Sequence, residues 1–170
     1  MVLAMGTISK ILLDMIDHES RQTRFVMAAA IGSDLNFKPS DEMRSLIDLI
    51  NHLAEIPTID LKFCAMQFND FDEVHAMERE LRRDTIDELL AIYDRGMETI
   101  HELISKLSDN QLTENSLKPF DQEGPPKSWA HYVPEITTHL AMHKMQLWMY
   151  LRLAGAPVNM WTYYGVPRND

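Results

Sequence analysis

Four stretches of this chain repeat apolar residues at intervals of three and four, and none sustains a strict alternation. That spacing lines one face of a helix and cannot line one face of a strand, so the chain reads as all-α. In the first stretch Ile8, Ile11, Leu12, Met15 and Ile16 form the apolar face. It continues through Val26 and Ala29 to a stop at Gly32-Ser33-Asp34. The second is expected to open at Pro39-Ser40-Asp41 with a serine cap and carries Met43, Leu46, Ile47, Ile50, Leu53 and Ala54. Pro57 lacks a backbone donor and is expected to kink or restart this helix before Leu61–Met66. The third and longest runs from Asp72 to Leu107, with Ile86, Leu89, Tyr93, Ile100, Leu103, Ile104 and Leu107 on one face, and ends at Ser108-Asp109-Asn110. The fourth has a near-heptad seam of Trp129, Val133, Ile136, Leu140, His143, Leu147, Tyr150 and Ala154, and stops at Gly155 with Pro157 beyond. Four such helices predict a four-helix bundle, one domain over residues 1–170.

The connection before the last helix is the long one. Asn110 to Lys127 holds Pro119, Gly124, Pro125 and Pro126, and structureless loops beyond ~12–15 residues are uncommon in compact domains. It reads as a lid, or as the crossover that lets the last helix pair out of sequence order.

Charge narrows the partners. With 16 Lys+Arg against 26 Asp+Glu the formal net charge is −10, and no basic cluster offsets it, so nucleic acid is excluded as an expected partner. No run approaches the ~18 apolar residues of a membrane span, and the apolar opening Met1–Met5 is short for a leader and lacks a basic lead-in. Cys64 is the single cysteine, so a cytoplasmic, reducing location is the expectation. The fourth helix carries Met142, Met145, Trp148 and Met149 outside its seam; a helix apolar nearly all round is central or lies at a subunit contact.

One residue breaks the seam. His143 stands where the pattern calls for leucine or valine, and His139 lies one turn earlier on the same side. Imidazoles at i and i+4 converge on one ion, and a catalytic site adds a third protein ligand while leaving a position open. His131 and Glu135 extend the same stripe, with Glu135 a candidate to orient the His139 ring. The third ligand must come from another helix, and His18, His52, His75 and His101 all remain candidates on periodicity alone. The plainer alternative is a pair of helical histidines satisfied by neighbours in a core.

In the first helix Glu19 and Gln22 share the face of Met15, Ile16 and Val26. Buried carboxylates need a partner, so these two either line a polar pocket between helices or lie where the helix end projects into water. A di-iron carboxylate centre needs two Glu-x-x-His pairs plus two more inward glutamates. Only Glu98–His101 has the spacing, and Glu98 points away from the apolar face. Nothing near Cys64 suggests an activated thiol, and no phosphate-binding glycine loop, nucleophile elbow or zincin motif is present.

Leu49-Ile50-Asn51-His52-Leu53, taken with His139-Leu140-Ala141-Met142-His143-Lys144-Met145-Gln146-Leu147, resembles the DinB-like superfamily. The ending Tyr150-Leu151-Arg152-Leu153-Ala154-Gly155, with Pro157 and Tyr164-Gly165, is similar too. The resemblance spans essentially the whole chain and is most specific in the last part. It implies a four-helix bundle of unusual connectivity, a homodimer, and a divalent ion held by His52, His139 and His143. It also implies an enzyme of the thiol-dependent S-transferase or isomerase kind, acting on a small molecule with a low-molecular-weight thiol. Three imidazoles suit zinc, nickel, iron and copper alike; zinc or nickel is the expected ion. Where the family commonly has Arg-Gly-Gln after the last histidine, this chain has Lys144-Met145-Gln146. Glu19, Gln22 and Gln146 are the residues expected to line the pocket. The competing expectations are a metal-dependent hydrolase and a non-catalytic helical module that dimerises through the Met142/Trp148/Met149 face.

Overall fold

Burial of the periodic leucines and isoleucines organises the computed structural model, which describes residues 5–167, into seven helices among the described residues. Apart from Met5, the apolar opening of the chain lies outside them. The four long helices are α1 (Thr7–Ala28), α2 (Leu46–Cys64), α4 (Ile86–Lys106) and α6 (Trp129–Leu153); α3 (Phe71–Leu81), α5 (Asp109–Thr113) and α7 (Met160–Tyr163) are short. One core runs through all four long helices, including Ile16, Val26, Leu49, Leu53, Leu89, Tyr93, Ile100, Val133, Leu140 and Leu147. No strand occurs among the described residues, and none of their helices is long and apolar enough to cross a membrane.

The packing order is not the chain order. α1 lies against α4 and α6, and α2 also lies against α4 and α6, so α1 and α2 are diagonal. Cross-helix bonds give the directions. Ser9 bonds Ile104 and Tyr93 bonds Ser20, so α1 and α4 are antiparallel. His52 meets His143 while Asp60 meets His139, so α2 and α6 are antiparallel as well. Asn51 meets Arg83 whereas Pro57 meets Gly96, so α2 and α4 run parallel. The result is an up-down-down-up bundle with two diagonal crossovers, residues 29–45 and 107–128. The second crossover must span the bundle end, which accounts for its length. It contains α5, capped by Ser108, and a two-way bridge between Leu117 and Lys127.

Three boundaries differ from the sequence expectation. α2 begins at Leu46 with Ser45 as its cap, five residues after the expected serine cap, and Met43 is exposed. It then runs unbroken through Pro57, because the ring is accommodated against Gly96 of α4. The third helix divides. Arg82 ends α3, and Thr85 caps α4 by accepting from the Glu88 amide. The Asn51 side chain clamps this break from α2, donating to the Arg83 carbonyl at 2.8 Å and accepting its amide at 2.9 Å. On α1, Ile11 is exposed, while Ser9 is buried and donates to Ile104.

Gly96 marks the tightest approach of α2 and α4. A Cβ there would lie 2.8 Å from both Pro57 Cβ and Thr58 Oγ1. Gly→Ala inside a helix ordinarily stabilises by ~1 kcal/mol. Here Gly96→Ala is expected to destabilise by about 1–3 kcal/mol through overpacking. Urea denaturation checks it, and a stabilised variant would contradict the close approach.

Candidate metal centre

His52 of α2 and His139 and His143 of α6 come together where the two helices cross. Their ligand atoms all lie within 4.8 Å of one another, and the three side chains are half-buried. His52 Nε2 and His143 Nε2 are 3.2 Å apart, close to the ~3.3 Å between two imidazole nitrogens that share a tetrahedral ion. Ring centroids stand 4.5 Å apart for His52–His143, 4.9 Å for His139–His143 and 5.3 Å for His52–His139.

The outer nitrogens fix the tautomers. His52 Nδ1 lies 3.0 Å from Glu55 Oε1, His139 Nδ1 lies 2.7 Å from Asp60 Oδ2, and His143 Nδ1 lies 2.8 Å from Gln146 Oε1. An ionised carboxylate or an amide oxygen can only accept, so each Nδ1 carries a proton and donates. In the neutral ring the lone pair is then on Nε2, which leaves three lone pairs on facing histidines. Burial pushes the pKa of His143 below its ordinary value, and the neighbouring His52 and His139 push the same way against the Gln146 bond, which favours the neutral ring. Burial raises the Glu55 carboxyl, opposed by its bond to His52. Converging lone pairs with oriented rings are the donor set of a divalent ion, and the three histidines fit one.

Two of the three supporting oxygens were not singled out in the sequence. Glu55 stands one turn after His52, a spacing that had it available. Asp60 reaches His139 from the other helix, which no single-helix pattern reveals. Glu135 does not orient His139; it takes His131 and Lys127 instead. Gln146 is in place as the partner of His143.

Glu19 and Gln22 lie elsewhere. Both bind Lys144, whose Nζ is 2.9 Å from Glu19 Oε1 and 2.7 Å from Gln22 Oε1, and which sits 4.2 Å from the Tyr163 ring centroid. Lys144 is only 2% exposed. Lys144, one of the two residues that depart from the Arg-Gly-Gln pattern, is thus an anchor between α1 and α6. Neither Glu19 nor Gln22 lines the two cavities onto which His52 opens.

The remaining histidines are held apart from the cluster. His18 bonds Gln22, His75 bonds Glu78, His101 bonds Asp17 and His131 bonds Glu135. Glu98 is exposed. Cys64 is buried and its thiol is pushed up to about 12 by burial, so it is no nucleophile at neutral pH. On the outer side of α6, Met142, Met145 and Met149 are exposed, whereas Trp148 is buried and donates to the Asn159 carbonyl.

The up-down-down-up bundle has a counterpart among solved structures. A crystal structure from Exiguobacterium sibiricum, described as a candidate member of the DinB family, superimposes with a TM-score of 0.71. It covers 92% of this chain and 97% of its own, at 20% sequence identity. The fold is therefore DinB-like. No family model and no curated protein matches the sequence.

The outer oxygens should matter to metal affinity as well as to packing. Asp60→Ala is expected to weaken zinc binding by about 10–100-fold with the helical circular dichroism unchanged. Competition against a chromophoric chelator measures it. Unchanged affinity would mean that Asp60 does not orient His139.

Proposed function

We propose that this chain is a metal-dependent enzyme that holds a divalent ion through His52, His139 and His143 and transfers a small-molecule thiol to an electrophile. The observation that carries the reading is the convergence of three imidazoles whose Nδ1 atoms are all committed to oxygens. Zinc or nickel suits such a donor set. When bound, the ion supplies a positive charge that lowers the pKa of a thiol or water beside it. The chain's own residues do the rest. Glu55, Asp60 and Gln146 hold the rings in register, and Ile56, Ile59, Phe63 and Val74 give the cavity beside His52 and His139 an apolar wall that limits water.

Elemental analysis after exhaustive dialysis tests the ion. Near-stoichiometric divalent metal is expected in the wild type and its loss in His143→Ala. A wild type that neither retains nor takes up zinc or nickel would leave the non-catalytic module as the reading. With metal established, a thiol conjugate among the products supports transfer, and a hydrolysed electrophile without conjugate would replace it with hydrolysis.

The reading includes a homodimer, supported by the exposed row Met142, Met145 and Met149 with Leu153 beyond it on α6. Sedimentation is expected to give a dimer that Met149→Lys dissociates. A monomeric wild type would remove this part alone.

A further inference from the structure

The centre opens onto two cavities of opposite character. One, of about 430 Å³, is lined by Arg44, Asp48, Asn51, His52, Glu55, Glu78, Arg79 and Arg82. The other, of about 270 Å³, lies along Ile56, Ile59, Phe63 and Val74 and includes His52 and His139 with the carboxylates that hold them, Glu55 and Asp60, and Glu78. They share His52, Glu55 and Glu78, so they are two ends of one cleft between α2 and α3. Together they are of the size that holds a small molecule.

Formally the first cavity balances, Arg44, Arg79 and Arg82 against Asp48, Glu55 and Glu78, but its hydrogen-bonding donors and acceptors do not. Asp48 is taken by Arg82 and Ser45, Glu55 by His52, and Glu78 by His75. Every carboxylate in the lining thus has a hydrogen-bond partner, and Arg82 is used up by Asp48. Arg44 and Arg79 make no hydrogen bond or ion pair among the described residues. Two uncommitted guanidiniums face one end of a metal cleft on a chain whose net charge is −10. Guanidinium is the side chain best suited to gripping a carboxylate through paired donors.

We infer that the substrate of this site is a small anionic molecule with an apolar arm, its carboxylate received by Arg44 and Arg79 and its apolar part by Ile56, Ile59, Phe63 and Val74. The inference rests on the metal reading and adds to it the class of ligand. A neutral molecule of the same shape would fill the apolar end alone and leave both arginines solvated. The charge-bearing groups are exposed, so the gain is moderate rather than large.

The test uses cobalt-loaded protein and paired probes, mercaptopropionate and mercaptohexanoate against the mercapto-alcohols of the same chain lengths, with binding read from the visible cobalt spectrum. At least one acid is expected to bind about three- to tenfold more tightly than its alcohol. The Arg44→Ala/Arg79→Ala double variant is expected to abolish that preference while keeping its cobalt and its affinity for the alcohols. Both arginines are exposed, so the variant should fold; circular dichroism verifies it. Equal binding of acids and alcohols at both lengths, or a preference that survives in the variant, overturns the inference and leaves the metal centre intact. Protein that takes up no cobalt overturns the metal reading, and this inference with it.

Discussion

Three imidazole lone pairs facing one another across the α2–α6 crossing are the constraint on which the rest of this structure depends. Lone pairs 3.2 Å apart repel unless a proton or a cation lies between them. The protein holds them there by spending its Nδ1 protons on Glu55, Asp60 and Gln146. Two of those partners are carboxylates, which adds negative charge behind the rings and makes them better donors. A histidine satisfied by a core neighbour would need one such bond. Three rings, each oriented by an oxygen and each turned to the same point, are more than packing asks for.

That geometry requires α2 and α6 to be neighbours, which chain order alone would not make them. The diagonal crossovers do so, placing α2 between α4 and α6. The break between α3 and α4 is part of the same arrangement. A continuous helix from residue 72 to residue 107 would have carried Glu78, Arg79 and Arg82 along α4's line. Ending α3 at Arg82, with Asn51 clamping the turn, lets α3 fold back on α2 through Ile59, Phe68 and Val74. The cleft beside His52 exists because of that return.

The sequence made the helices legible because apolar spacing is a local property, and it made His143 conspicuous because a seam position has a strong expectation attached. His139 followed from the spacing. His52 did not: its position at the edge of an apolar stripe allowed either an inward or an outward ring, and only the likeness to a family selected it. The division of the third helix was hidden because Leu81 and Ile86 both suit an apolar face, and the residues between them carry no glycine or proline. What separates the two helices is the start of α4 at its Thr85 cap and a clamp from another helix, and the clamp is a tertiary contact. Asp60 was invisible for the same reason.

Lys144 shows how the fold and the centre are tied. α6 is apolar on nearly every side, and hydrophobic burial is non-directional, so burial alone would tolerate several rotations of this helix. Directional bonds remove that freedom. Lys144 is fastened to Glu19 and Gln22 of α1, while His139, one turn before His143, is fastened to Asp60 of α2. Successive residues on a helix point about 100° apart, so fixing Lys144 toward α1 turns His143 toward α2. The Glu19 and Gln22 pair is therefore tied to the three-histidine cluster through the rotation of α6 rather than by contact with its cavities. A carboxylate on the apolar face of α1 is then accounted for: it is half-buried against its cation, and the cation's neighbour in sequence is His143 of the three-histidine cluster.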